Sequence, residues 1–358
     1  PQSIFKSPKN AKGFRRFQLG TDGPHLKVLH VDDLSATPVF EQASNRPAIL
    51  FLEKGSPTTY PVTYATWEGS ARQVDSENWT TWSQAAPGFK IRAEKAQPVD
   101  ANDPSSTWIH APESLLSSYN AIAGQCPYRA RTGVFTGGAN GVFYLQRLSA
   151  FANGKVLVKN VIERTRRKTA EVEFEIESTF VYPFVRGRDV DSWRASVCSN
   201  RLILCPHTPE TGMRPIAPKD LAQIAPQTYS YLLKVRYVLE ARRGFTGLDR
   251  ESFATGFYTL LRIGDYTFKP YKVVWRYISK TFKCCVIEPA WLAGRLVPVL
   301  PQEKLMLIGF DEPLEAYYVC GMLSSTPIRS AIESRMVGTQ ISASVIEHIG
   351  MLKFDVNN

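Results

Sequence analysis

Residues 131–145, RTGVFTGGANGVFYL, place Gly133, Gly137, Gly138 and Gly141 within nine residues. Such a cluster has two chemical uses: backbone N–H groups that cradle a phosphate, or a turn that needs positive φ. Spacing separates the two. A phosphate loop of the form G-x-x-x-x-G-K-[ST] requires a lysine ammonium and a hydroxyl after its second glycine. Gly133 and Gly138 have the right separation, but Ala139 and Asn140 follow. The dinucleotide fingerprint G-x-G-x-x-G needs a buried strand before it and a helix after it, and neither the glycine spacing nor the VFYL run fits. Phe135-Thr136-Gly137-Gly138-Ala139 falls one glycine short of the F-x-G-x-G found at S-adenosylmethionine sites. By its own spacing, the cluster reads as a tight turn.

No other catalytic constellation emerges. G-x-S-x-G, H-E-x-x-H and acidic metal clusters are missing from the sequence. The carboxylate pairs Asp32-Asp33 and Asp311-Glu312 sit near expected strand or helix ends, where solvated caps are the simplest reading. Asp311 is expected to cap a helix. Cys126, Cys198, Cys205, Cys284, Cys285 and Cys320 contain no C-x-x-C pair, and the five histidines are as scattered. Buried free thiols in a reducing cytoplasm are expected, and no metal site. No apolar run is long enough to span a membrane, and nothing resembles a signal peptide. Residue 1 is Pro rather than Met, which suggests a fragment.

Charge is more informative. Residues 1–128 hold 12 Lys+Arg and 12 Asp+Glu; residues 129–283 hold 26 against 13, and residues 284–358 hold 5 against 8. The positive charge is thus concentrated in the middle of the chain, as for a polyanionic partner met at a defined surface.

The elements that must carry these residues follow from periodicity. Residues 26–34, 47–55 and 61–69 are apolar runs bounded by Gly, Pro and Asp, the form of buried strands. Residues 70–112 are Pro-rich and polar and read as connecting chain. Residues 154–178 predict a β-hairpin, with Val172, Phe174 and Ile176 on one face and Glu171, Glu173, Glu175 and Glu177 on the other. Its tip carries Arg164, Arg166, Arg167 and Lys168, either to meet phosphates or to pair with that glutamate face. Residues 226–244 predict one helix stopped by Gly244, and residues 311–336 two helices, the second opened by Pro327. Arg236 and Arg276 lie among apolar residues and are expected to pair internally.

Several segments, in order, resemble one family. SIFKSPKNAKGFRRFQL, AILFLEKGSPTTYPVTYATWEG (48–69), the 131–145 loop, VYPFVRGRDVDSW (181–193), KPYKVVWRYI (269–278) and EAYYVCGMLSS (315–325) are similar to the C-terminal portion of adenine-N6 DNA methyltransferases of the type II restriction–modification and phage-exclusion group. The likeness implies a partial Rossmann-like α/β sheet followed by a mixed α+β target-recognition domain. It implies the C-terminal half of a catalytic domain over 1–75, a connector over 76–125 and a recognition domain over 126–358. It makes Gly133, Thr136, Gly137, Asn140 and Phe143 a signature loop opening that last domain.

The family's Asn-Pro-Pro-Tyr motif is missing, since the sequence holds no Pro-Pro dipeptide, and the S-adenosylmethionine loop would lie upstream. The cofactor therefore belongs to a parent enzyme, and this chain alone is expected to be inactive. Such enzymes stack an extruded base on an aromatic ring, and Tyr60 stands near the matching place, a strand-turn tyrosine being the alternative. Double-stranded DNA is the implied partner, with Arg164, Arg166, Arg167, Lys168, Arg186 and Arg188 as its contacts. A missing N-terminal catalytic half and other restriction or defence subunits would complete the assembly. Two other readings remain: a non-catalytic nucleic-acid-binding or assembly protein with a relic methylase half, and an RNA-directed methylase.

Overall fold

The computed structural model describes residues 3–7, 11–37, 47–69, 81–163, 169–243, 248–336 and 339–357. The chain divides into two compact units, residues 1–127 with 279–281 and 325–352, and residues 128–278 with 282–324 and 353–358. The segment 325–352 thus packs with the first unit, not with the block 126–358 to which the sequence assigned it.

The first unit is built on a mixed sheet of β1 (His25–Ala36), β2 (Ala48–Gly55), β3 (Val62–Gly69), β4 (Phe89–Pro98) and β5 (Trp108–Ala111), in the order β2-β1-β3-β4-β5. The first three strands fall where the apolar runs placed them. β4 and β5 overturn the expected connector over 76–125, whose described part belongs to the sheet. β1 and β3 are parallel, and β2 returns the chain between them; the other described pairs are antiparallel. The unit is therefore α/β with mixed pairing, and the expected Rossmann pattern of parallel strands joined by helices is not what links β1 to β3. One face packs Phe5, Phe17, Val31, Val62, Tyr64 and Trp108 into a core. Helices Glu113–Ala121 and Thr326–Ser334 cover β5, burying Ile109, Leu116 and Ala331. β2 departs from the expected buried strand: as the edge strand it leaves Ile49, Phe51 and Leu52 exposed.

The second unit is α+β. β6 (Arg131–Thr132) leads through the glycine turn to β7 (Tyr144–Arg147), β8 (Lys155–Asn160), β9 (Glu173–Glu177) and β10 (Val181–Val185). A small hairpin, β11 (Val190–Asp191) and β12 (Arg194–Ala195), precedes β13 (Arg201–Leu204). β14 (Tyr271–Arg276), β15 (Cys284–Ile287), the hairpin β16 (Ala290–Leu292) and β17 (Arg295–Val297), β18 (Leu300–Pro301) and β19 (Leu305–Phe310) complete the strands. One sheet runs β18-β10-β13-β7-β8-β9 and another β15-β14-β19-β6. The predicted hairpin over 154–178 is present as β8 and β9, with Ile176 buried and Glu171, Glu173 and Glu175 exposed.

The helical core of this unit comes from residues 218–240. The single helix expected over 226–244 is broken at Val235 into Pro226–Lys234 and Arg236–Glu240. Leu221, Leu232 and Leu239 enter the same core as Leu145, Ile176 and Leu204. Glu177 is the exception on its strand. It is buried, and its carboxylate accepts the Gln227 and Thr228 N–H groups and the Thr228 hydroxyl at 2.7–2.9 Å. It closes the N-terminus of helix Pro226–Lys234, where an anion complements the free N–H groups and the dipole.

Candidate nucleic-acid interface

The glycine turn is shaped by what lies against it. A Cβ on Gly133 would stand 2.4 Å from the carbonyl oxygens of Pro301 and Gln302, so only glycine lets β6 pass β18. Gly133 N–H donates to Leu305 O and Val134 N–H to Pro301 O, while Phe135 and Leu261 exchange both backbone hydrogen bonds. Gly137 and Gly138 then adopt φ of 66° and 84°, the left-handed region that favours glycine. The Thr136 hydroxyl donates to Asn140 Oδ1 at 2.5 Å, and Phe143 is fully buried. The five signature residues are thus brought together, as a structural turn: Thr136 and Phe143 point inward and contact no solvent.

Two residues that the sequence did not single out hold this turn. Arg242 is buried, and its guanidinium donates to the carbonyls of Leu239, Thr136, Thr259 and Phe257 at 2.6–3.1 Å. It lies 5.8 Å from the Phe143 ring and 5.5 Å from that of Phe253. Asn160, also buried, donates to Gly141 O at 2.7 Å and Ala170 O at 2.9 Å, and accepts Val172 N–H at 2.7 Å. It fastens the base of the β8–β9 hairpin to the turn. Beside Arg242, His207 accepts Leu260 N–H on Nε2 at 2.9 Å, so its proton sits on Nδ1, 3.0 Å from Gly212 O. Burial pushes His207 down to about 4.

These contacts qualify the charge argument. Several cations of the 129–283 block are engaged within the fold, though only Arg242 and Lys272 among those named are buried. Arg236 bonds Glu240 at 2.7 Å and covers Phe257, and Arg276 Nε donates to Val190 O at 2.8 Å, both pairing internally as expected. Lys272 on β14 is completely buried, donates to Lys269 O, and is pushed down to about 7 by that burial.

Outside this interior, the turn Gly187–Asp189 gathers charge differently. Arg186 is half-buried, its N–H donates to Asp189 Oδ2 at 2.8 Å, and its Nε is 3.8 Å from the same oxygen. Arg201 also bonds Asp189 Oδ2 and lies over the Phe184 ring. Burial first, then the neighbouring charges of Arg201 and Arg188, lower the Arg186 pKa. Arg188 is exposed and forms no ion pair among the described residues. One carboxylate therefore meets two guanidiniums, Arg186 and Arg201, and Arg188 adds a third positive charge near Arg186. Arg186 is the positioned member, while Arg188 is available to a ligand.

Arg164, Arg166, Arg167 and Lys168 lie outside the described residues. The glutamate face over residues 171–175 is partly engaged by lysines of its own ladder, Lys155 with Glu175 at 3.4 Å and Lys159 with Glu171 at 4.0 Å.

In the first unit, Tyr60 stands edge-on to Trp108, ring centroids 5.5 Å apart, and lines a cleft of about 600 Å³ with Gln97, Asp100, Asn120, Gln125 and His348. Gln97 donates to Asn120 Oδ1 at 2.5 Å across its wall. Tyr60 is thus both a packing residue and a cleft wall; burial pushes its hydroxyl up to about 12.

The same unit corrects the reading of Asp32-Asp33 as solvated caps. Asp33 is buried and accepts the Tyr64 hydroxyl at 2.5 Å, and Tyr64 stacks on His110, which meets Glu94 at 2.7 Å. Burial alone would raise Asp33, but hydrogen bonds from Tyr64 and Ser35 outweigh it and hold the carboxyl below its usual range. Asp32 accepts Trp67 Nε1 at 2.8 Å and meets His30 at 2.9 Å. Asp311, expected to cap a helix, bonds the Lys269 ammonium. All six cysteines are free thiols. Among the described residues there is no group of metal-ligating side chains, and no helix is long and apolar enough to cross a membrane.

No protein-family model matches the sequence, and no curated protein matches it. Among solved structures, the chain is similar to the type IIL restriction-modification enzyme MmeI in complex with DNA, at TM-score 0.43 and 12% identity over 90% of this chain and 34% of that one. It is also similar to the type IIG restriction endonuclease BpuSI, at TM-score 0.34 and 12% identity over 98% of this chain and 39% of that one. The chain thus spans well under half the length of either.

Proposed function

We propose that this chain is the DNA-binding and target-recognition part of a site-specific adenine-N6 DNA methyltransferase. The arginine cluster on Asp189 carries the DNA-binding half of that reading. Arg186 and Arg201 share the single carboxylate of Asp189 while Arg188 stands exposed beside Arg186, within a block holding 26 cations against 13 acids. A phosphodiester supplies the anion this turn lacks, and a guanidinium fork binds it bidentately. The methyltransferase half is supported by the ordered resemblance of six segments.

In that reading S-adenosylmethionine supplies the methyl group in the parent enzyme. The residues present do not fit that cofactor, since neither its loop nor Asn-Pro-Pro-Tyr is in the sequence, and no methyl-transfer step is assigned to them. The isolated chain binds DNA without modifying it. Tyr60 offers its ring to an extruded base in a cleft whose Gln97 and Asn120 amides match the donor and acceptor edge of adenine. An N-terminal catalytic half and further restriction or defence subunits are the expected partners.

Replacing both Arg166 and Arg167 with Ala tests the hairpin tip as a phosphate contact. Binding to a labelled mixed-sequence duplex should weaken, and the slope of log affinity against log salt should flatten by about two. An unchanged slope removes the tip from the interface.

A further inference from the structure

The β11–β12 hairpin holds an aromatic ring in solvent for no internal purpose. Its two-residue loop is Ser192-Trp193, closed by the pair Asp191 and Arg194. Trp193 is 63% exposed and adopts φ of 63°, a conformation that glycine or asparagine takes without strain and that a bulky side chain rarely visits. The loop is held firmly. Trp193 N–H donates to Cys284 O at 2.9 Å, Asp191 bonds Lys283 at 2.7 Å, and Arg276 fixes the other end of β11 through Val190 O. An anchored turn therefore presents an indole that the fold itself does not use.

The charges around it identify the occupant. Both acids of the segment are engaged, Asp189 by Arg201 and Asp191 by Lys283. Arg188 and Arg194 are exposed and form no ion pair among the described residues. A second hairpin offers the contrast. Trp291 of β16 is 72% exposed opposite Leu296, but its neighbour Arg295 donates to the Ser178 and Thr179 carbonyls, and nearby Glu288 accepts the Tyr317 hydroxyl. That tip has no spare cations. The Trp193 tip combines a flat aromatic face with unpaired guanidiniums, the pairing of features that binds a nucleobase beside its phosphate.

We infer that Trp193 stacks on a base unstacked from the bound DNA at an opened or kinked step, while Arg188 and Arg194 hold the flanking phosphates. The inference rests on the DNA-binding reading and adds the contact that does not depend on salt. Stacking is an apolar contact and releases no counterions, whereas each phosphate contact does. Trp193→Ala should thus lower affinity for a labelled duplex about tenfold and leave the salt slope unchanged. Trp193→Phe should restore most of the affinity. Arg194→Ala should instead lower the slope by about one. Thermal unfolding of each variant checks that the hairpin is intact, as expected for side chains exposed to solvent. If the wild-type chain binds DNA and Trp193→Ala binds equally well, the stacking contact is wrong and the DNA reading survives. If the wild-type chain does not bind, the DNA reading itself fails.

Discussion

Two short turns of the second unit behave oppositely. The loop 133–143 and the segment 186–195 each hold left-handed backbone, at Gly137 and Gly138 in one and at Trp193 in the other. The first directs its side chains inward: Thr136 and Phe143 are buried, and Arg242 binds its carbonyl. The second directs them outward, with Arg188, Trp193 and Arg194 in solvent around two engaged acids. A glycine cluster therefore marks where backbones pass closely, while the contacts offered to a partner come from a segment in which glycine is scarce. The glycine turn and the proposed interface are different places in the same unit.

If that contrast is right, the two turns must fail in different ways. The largest effect is expected at Arg242→Ala, which leaves four carbonyls without their donor in the interior. Stability measured by denaturant unfolding should fall by about 4 kcal/mol. A loss below 1 kcal/mol would show that the inward turn does not depend on it.

Acid should loosen the same region. His207 titrates near 4 when folded, against about 6.5 in an unfolded chain. Its contribution is present above pH 6.5, because the unfolded state binds its proton first as pH falls. It is lost progressively between pH 6.5 and 4, by about 3 kcal/mol in total. His207→Gln should flatten the stability–pH curve in that window, and an unaltered curve would assign the acid sensitivity to other groups.

Thr136→Ala and Asn140→Ala each remove one hydrogen bond in the turn and should cost about 1 kcal/mol in unfolding free energy. Full stability and full DNA binding in both variants would discredit 133–143 as an organising turn.

The comparison also explains what was legible beforehand. β1, β2 and β3 were readable because apolar runs end at Gly and Pro, and β8 and β9 because glutamates alternate with Val172, Phe174 and Ile176. β4 was hidden: Lys90, Arg92, Glu94 and Lys95 fall within it, and it is held in the sheet by backbone pairing with β3 and β5, with Ala96 its contribution to the core. The exposure of β2 depends on its edge position, which its own residues do not encode. The break at Val235 carries no Gly or Pro. Asp33 read as a solvated cap and Lys272 gave no sign of burial, since both depend on partners distant in sequence, Tyr64 for one and the opposing strands β15 and β19 for the other.

The same holds at the interface. Arg186 and Arg188 were expected as DNA contacts on the family resemblance, but their separate surroundings follow from Asp189 meeting Arg201, fifteen residues beyond Arg186, across the turn. Trp193 carried no signal of its own, because its left-handed φ cannot be read from a sequence.

The central claim is that the outward turn binds DNA phosphates. It is tested most directly by comparing the purified chain with its Arg188→Ala variant on a labelled duplex across a salt series. The account predicts that log affinity falls linearly with log salt for both proteins, with the variant's slope smaller by about one and its stability within about 0.5 kcal/mol of wild type. Absence of binding at low salt, or binding indifferent to salt, would contradict it and return the surplus charge to an internal or protein partner.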